Sequence, residues 1–180
     1  AVRLLPQVRN EKSSLSPDGK WVLSASESEH ELRLTPTGPG PGKKVSIGDL
    51  VLADFGFMPD GESILFTATG TDGRKGLYIT DETSKAPRVI SDSGRPDEFV
   101  VSPDGKEIAL SDAAGGVKLY RVDGGPSRAV EGLVGGDHLL TWSEDGRSLL
   151  VTRDGIPMRI ERFELATGRK ELWKSLAPSD

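Results

Sequence analysis

Short runs of alternating apolar and polar residues follow one another along the chain and are separated by turn-forming residues. Residues 21–25 (Trp-Val-Leu-Ser-Ala) and 148–152 (Ser-Leu-Leu-Val-Thr) are two such runs. Runs of this length and composition predict half-buried or buried β-strands. No stretch carries apolar residues at the helical period, so the pattern predicts an all-β protein.

A short turn-forming string recurs four times between the predicted strands. Its copies are Ser16-Pro17-Asp18-Gly19-Lys20, Met58-Pro59-Asp60-Gly61-Glu62, Ser102-Pro103-Asp104-Gly105-Lys106 and Ser143-Glu144-Asp145-Gly146-Arg147. The aspartates at positions 18, 60, 104 and 145 are 42, 44 and 41 residues apart. A repeat of about 40–45 residues is typical of one four-stranded blade of a β-propeller.

The string has the composition of a tight hairpin turn. Serine at the first position accepts main-chain hydrogen bonds, proline fixes φ at the second, aspartate is tolerated at the third, and glycine supplies a positive φ at the fourth. This predicts a type I turn followed by a glycine bulge. Met58 replaces serine in the second copy and Glu144 replaces proline in the fourth, but both copies keep Asp-Gly, so all four turns are expected to form.

Each repeat continues in the same order, with a second strand, a polar loop, a third strand, a turn and a fourth strand. Predicted third strands cover residues 31–34, 76–79, 117–120 and 159–163, and fourth strands cover 44–47, 87–90, 127–130 and 170–173. A lone blade cannot bury both of its faces, so neighbouring blades are expected to pack together. The predicted fold is an all-β propeller of four consecutive four-stranded antiparallel blades, with the strand before each Asp-Gly turn innermost.

The propeller is expected to be partial and open. The predicted blades cover residues 10–49, 50–94, 95–136 and 137–180, and residues 1–9 have the pattern of an outer strand left from a preceding blade. The fourth predicted blade already has its own outer strand at 170–173, so the strand at residues 1–9 is surplus. Because propellers have roughly four to eight blades, this surplus strand predicts a fragment of a larger protein. Its two exposed blade faces would then be available for self-association.

Composition and charge narrow the possible partners. The 180 residues include no cysteine, which excludes disulfides and thiolate metal sites. The formal net charge is −5 and no dense run of Lys and Arg is present, so nucleic acid is not an expected partner. No apolar stretch approaches the roughly 20 residues that cross a bilayer, so direct membrane insertion is not expected.

Several short motifs suggest chemistry but lack its context. Asp54-Phe55-Gly56 spells the magnesium motif of kinases, yet the other kinase motifs are missing. Neither His30 nor His138 lies at a zinc-ligand spacing. The Asp-Gly pairs at 72, 123 and 154 lack the spacing of a calcium loop, and no Gly-x-Ser-x-Gly elbow is present. We therefore expect no catalytic residue, no metal and no cofactor.

A binding site is expected on the face opposite the Asp-Gly turns. The loops after the second strands and before the first strands meet there, and function in such folds is carried by grafted sites rather than by the fold itself. The candidate binding residues are Arg74, Arg95, Asp97, Asp137, His138 and Arg153. The expected partner is a protein or a small ligand.

The Ser-Pro-Asp-Gly-Lys turn followed by an apolar strand resembles the TolB-type, WD-like propeller repeat of bacteria, over nearly the whole chain. Residues 163–174 resemble blades behind the kinase domain of bacterial serine/threonine kinases. These resemblances imply a non-enzymatic binding or sensor module of a larger protein such as a receptor-type kinase, extracytoplasmic rather than cytoplasmic. Two alternatives stay open: a TolB-like periplasmic protein-docking propeller, and the accessory gating propeller of a serine peptidase.

Overall fold

The computed structural model describes residues 13–25, 31–91, 99–111 and 115–177. The regular secondary structure in these ranges consists of β-strands, which form four antiparallel sheets of four strands each. In every sheet the strands are hydrogen-bonded in chain order. The predicted all-β class and the four four-stranded antiparallel sheets are therefore confirmed, whereas residues 1–9 lie outside the described residues and their assignment stays a prediction.

The sixteen strands follow the repeat closely. The first sheet contains β1 (Ser13–Leu15), β2 (Trp21–Ala25), β3 (Glu31–Pro36) and β4 (Lys43–Ser46). The second contains β5 (Val51–Phe57), β6 (Ile64–Thr69), β7 (Lys75–Thr80) and β8 (Arg88–Ser91). The third contains β9 (Phe99–Val101), β10 (Glu107–Ser111), β11 (Val117–Arg121) and β12 (Arg128–Val130). The fourth contains β13 (His138–Trp142), β14 (Ser148–Arg153), β15 (Met158–Glu164) and β16 (Lys170–Leu176).

The described residues divide into two compact units, one within 1–73 and 78–88 and the other within 74–77 and 89–180. In the first unit, alternation along β3 buries Leu32 and Leu34 and exposes the residues between and after them. These leucines join a core with Ile64 and Phe66 of β6, which are completely buried. The first strands of the two sheets, β1 and β5, also contact each other. Packing of one sheet face on the next supplies the apolar burial that a single blade lacks.

The second unit repeats this packing with other side chains. Leu119 of β11 and Leu149 of β14 are almost completely buried in one core, and Phe163 of β15 lies beside them. Trp142 closes the core at the end of β13, where its indole Nε1 donates a hydrogen bond of 3.0 Å to the Val100 carbonyl of β9. This bond joins the first strands of the third and fourth sheets, which are neighbours within the second unit.

The four Asp-Gly turns have the same geometry. In each turn the glycine N–H donates to the carbonyl of the first turn residue at 2.8–3.0 Å, and the glycine φ lies between +67° and +73°. In the three copies that begin with serine, its hydroxyl donates to the aspartate at 2.6–2.7 Å and accepts the N–H five residues later at 2.9–3.0 Å. The predicted turn chemistry thus forms locally, within six residues.

The second turn lacks this hydroxyl but is satisfied in another way. Met58 is buried, and the Asp60 carboxylate instead accepts the main-chain N–H groups of Glu62 at 2.9 Å and Ser63 at 2.8 Å. Aspartate can therefore replace the missing serine because both side chains accept hydrogen bonds from the same stretch of main chain. This explains why the turn survives the change from serine to methionine.

Candidate functional site

The structure describes four of the six candidate residues. Arg74 is exposed in the turn between β6 and β7. Arg95 and Asp97 lie outside the described residues. The other three candidates lie together where β13 begins and β14 ends, at the end of the fourth sheet opposite its Asp-Gly turn. Of the predicted site, the structure therefore brings together a group of three residues.

Asp137 is the centre of this group. Its side chain is completely buried, and its Oδ1 accepts a hydrogen bond from Arg153 Nε at 2.7 Å. Its Oδ2 accepts hydrogen bonds from Lys170 Nζ at 2.6 Å and from the main-chain N–H of Val134 at 3.0 Å. Both carboxylate oxygens are thus bonded within the protein, and the connection that leads into β13 is tied to β14 and β16.

Opposing effects set the charge of this carboxylate. Burial raises the pKa of Asp137, but hydrogen bonds from Arg153, Lys170 and the Val134 main chain outweigh burial and lower the pKa to about 2. The carboxylate in turn raises the pKa of the Arg153 guanidinium. Asp137 therefore stays ionised near neutral pH with both oxygens occupied, which suits an anchor and not a proton acceptor.

Lys170 is the residue of this cluster that sequence reasoning missed. It is 33 residues from Asp137 and begins the outer strand β16. Its main chain lies opposite Phe163 in the pairing of β15 with β16, and its side chain reaches Asp137 from there. A lysine at the start of a polar outer strand carries no local signal of this contact, so the signal exists only in the folded sheet.

The exposed part of the cluster is a shallow cleft of about 390 Å³ lined by Arg153, Arg159, Glu161 and Lys170. Arg153 and Arg159 lie directly opposite each other on β14 and β15. The Arg153 side chain is 55% exposed although its Nε is bonded to Asp137. Exposed guanidinium groups of fixed position bind carboxylates through paired, charge-assisted hydrogen bonds. The cleft therefore has the chemistry to bind an acidic group.

His138 begins β13, directly after Asp137. Its Nε2 is 3.8 Å from Oδ1 of Asp154, whose side chain is fully exposed. Solvent screens a pair of this kind, so the contact fixes neither group strongly. His138 lies at the same end of the fourth sheet as Asp137.

Metal clusters and membrane-spanning helices are both lacking among the described residues. No group of three or more His, Cys, Asp or Glu side chains within ranges 13–25, 31–91, 99–111 and 115–177 could hold a metal ion. The same part of the chain has no helix of the length and apolarity that a membrane crossing requires.

Comparisons with known proteins give a fold but no family. No family model and no curated protein matches the sequence. A solved protein assigned as TolB from Agrobacterium tumefaciens has a TM-score of 0.71 at 24% identity, covering 91% of this chain and 61% of that chain. TolB from Acinetobacter baumannii has a TM-score of 0.66 at 23% identity, covering 91% of this chain and 43% of that chain. The chain thus has the β-propeller blade fold of the TolB structures and spans 61% or less of their length.

Proposed function

We propose that the chain is a non-enzymatic binding module that recognises a protein through the cleft beside Arg153 and His138. The observation that carries the proposal is the buried Asp137 carboxylate. It holds Arg153 and Lys170 in place before any partner arrives, and such preorganisation reduces the ordering cost of binding. An acidic group of the partner is the complement of the exposed arginines.

The fold supports the same role. Blades of this type repeat a scaffold whose loops vary, and the likeness to TolB structures is consistent with a binding protein. Because the chain spans 61% and 43% of the two solved proteins, we propose that it works within a longer polypeptide, for which a receptor-type kinase is one candidate. An extracytoplasmic location belongs to this proposal.

Self-association is a second candidate, favoured by the outer hairpin of the fourth sheet. Met158, Leu172, Trp173 and Leu176 of β15 and β16 are large apolar side chains that are 42–53% exposed. Apolar side chains grouped at a sheet edge mark interaction surfaces. Light scattering of the purified chain tests this candidate, because a monomer mass at all concentrations contradicts it.

The binding role is tested with two charge-matched variants. Arg153→Gln with Arg159→Gln removes two positive charges from the cleft, while Asp137 keeps its bonds to Lys170 and Val134. Lys20→Gln with Lys106→Gln removes two charges from exposed lysines at Asp-Gly turns. Immobilised wild-type protein is expected to capture from bacterial extract a protein that the cleft variant loses and the turn variant keeps.

Two results would contradict the proposal. If both variants are folded by circular dichroism and capture the protein equally well, the cleft is not the binding site. Reproducible peptide hydrolysis or ATP turnover by the purified chain, lost together with the protein on immunodepletion, would remove the non-enzymatic assignment.

A further inference from the structure

A second cleft lies within the first unit, between the first and second sheets at the end that carries the Asp-Gly turns. It has a volume of about 400 Å³. Its lining residues are Trp21, Leu34, Lys43, Phe57, Gly61, Glu62, Ser63, Asp81, Glu82 and Thr83. This cleft is separate from the cleft at Arg153, and all of its residues belong to one compact unit. We call it the Trp21 cleft.

Trp21 forms one wall of the Trp21 cleft and has a fixed position. Its main-chain N–H donates a hydrogen bond of 2.9 Å to the Ser16 hydroxyl in the first turn. Its ring packs at the border of the apolar core, as does Phe57 from the second sheet. The cleft therefore has an aromatic wall supported by core packing.

A cation of the protein already occupies the space over this ring. The Lys43 ammonium lies 4.8 Å from the Trp21 ring centroid and 2.6 Å from Glu82 Oε2. The Lys43 and Glu82 side chains are 44% and 47% exposed. Interactions as exposed as these are weak because water screens them. A ligand cation can thus displace the lysine at little cost.

The charge of the Trp21 cleft exceeds what this lysine neutralises. Three acidic side chains, Glu62, Asp81 and Glu82, line the cleft with a single lysine. Hydrogen bonds from Thr83 and Ser84 hold the pKa of Asp81 at about 2, so this carboxylate is charged at neutral pH. An aromatic wall with an excess of carboxylates is complementary to a planar cation, which can stack on the indole and pair with a carboxylate.

We propose that the Trp21 cleft binds an arginine side chain of a partner protein and that Lys43 is an internal competitor for the same position. The proposal rests on the protein-binding function given above, since it names a chemical feature of the partner. Its test uses a defined peptide and no natural partner, so it can fail or succeed independently of the cleft at Arg153.

The experiment measures binding of acetyl-Gly-Arg-Gly-amide by two-dimensional NMR of the tryptophan indole N–H groups. The protein variant is Lys43→Met, which removes the ammonium but keeps most of the side-chain stem. We expect Lys43→Met to bind the arginine peptide at least 10-fold more tightly than wild type, with the shift confined to Trp21. Trp142, whose Nε1 bonds to the Val100 carbonyl, reports that the second unit is unchanged.

Matched controls separate this site from weak surface binding. Acetyl-Gly-Gln-Gly-amide lacks the charge and is expected to cause no saturable shift. Glu82→Gln, added to Lys43→Met, is expected to weaken arginine binding at least 5-fold. Equal shifts with both peptides, no gain from Lys43→Met, or no loss from Glu82→Gln would each overturn the proposal. These outcomes do not depend on whether the cleft at Arg153 binds a partner.

Discussion

Replacing Asp137 by asparagine removes one charge and changes the size of the side chain very little. The carboxylate is completely buried and bonded to Arg153, Lys170 and the Val134 N–H. Asparagine keeps one acceptor oxygen but leaves two cations without their counter-charge. Because the Lys170 side chain is only 22% exposed, water compensates for only part of the lost charge pairing.

The pKa of Asp137 sets the size of the effect. Its decrease from 3.8 to about 2 corresponds to about 2 kcal/mol of stability at neutral pH. Since the folded-state pKa is the lower one, this contribution is complete above about pH 5 and decreases as the unfolded chain takes up a proton near pH 3.8. It is lost once the pH falls below about 2, where the folded protein is protonated too.

The assay is urea unfolding of wild type and Asp137→Asn at pH 7, 5 and 3. We expect the variant to be less stable by about 2 kcal/mol at pH 7, and this difference to shrink at pH 3. Asp154→Asn is the control, because it removes a fully exposed carboxylate from the same end of the sheet and should leave the unfolding midpoint unchanged. A difference that is absent at pH 7, or as large at pH 3 as at pH 7, would refute the assignment of Asp137 as a charged anchor.

Two further predictions concern packing in the second unit. A Cβ on Gly115 would lie 2.6 Å from the Gly135 Cα, whereas a Cβ on Gly73, at a similar positive φ, meets nothing within 4 Å. Gly115→Ala should therefore lower the free energy of unfolding by about 1–3 kcal/mol more than Gly73→Ala. Equal losses in urea unfolding would contradict the close approach. Trp142→Phe removes the 3.0 Å hydrogen bond to a β9 carbonyl and should lower the free energy of unfolding by about 1–3 kcal/mol. Thermal unfolding should show no such loss of stability for Trp173→Phe, which alters an exposed side chain. Similar losses for the two variants would argue against the hydrogen bond.

The fold could be predicted from the sequence because its signals are local. The run at 21–25 is the strand Trp21–Ala25, and each Asp-Gly turn is completed by hydrogen bonds within six residues. The anchor could not be predicted in the same way. Asp137 precedes a strand in a glycine-containing connection, which is typical of an exposed turn residue. Its buried carboxylate is paired with Lys170, which lies 33 residues further along the chain.

This difference between the two ends of a blade has a consequence for function. At the turn end, serine, aspartate and glycine satisfy one another, so the hairpin forms whatever the loops at the other end contain. At the loop end, the connection into the fourth sheet is held in part by a buried charge that is paired with distant cations. Substitutions among those cations can therefore alter the proposed binding surface while the turns preserve the fold. Under the proposed binding function, specificity and blade formation would thus be carried by different residues. Variants at Arg153 are then expected to change binding without abolishing the fold.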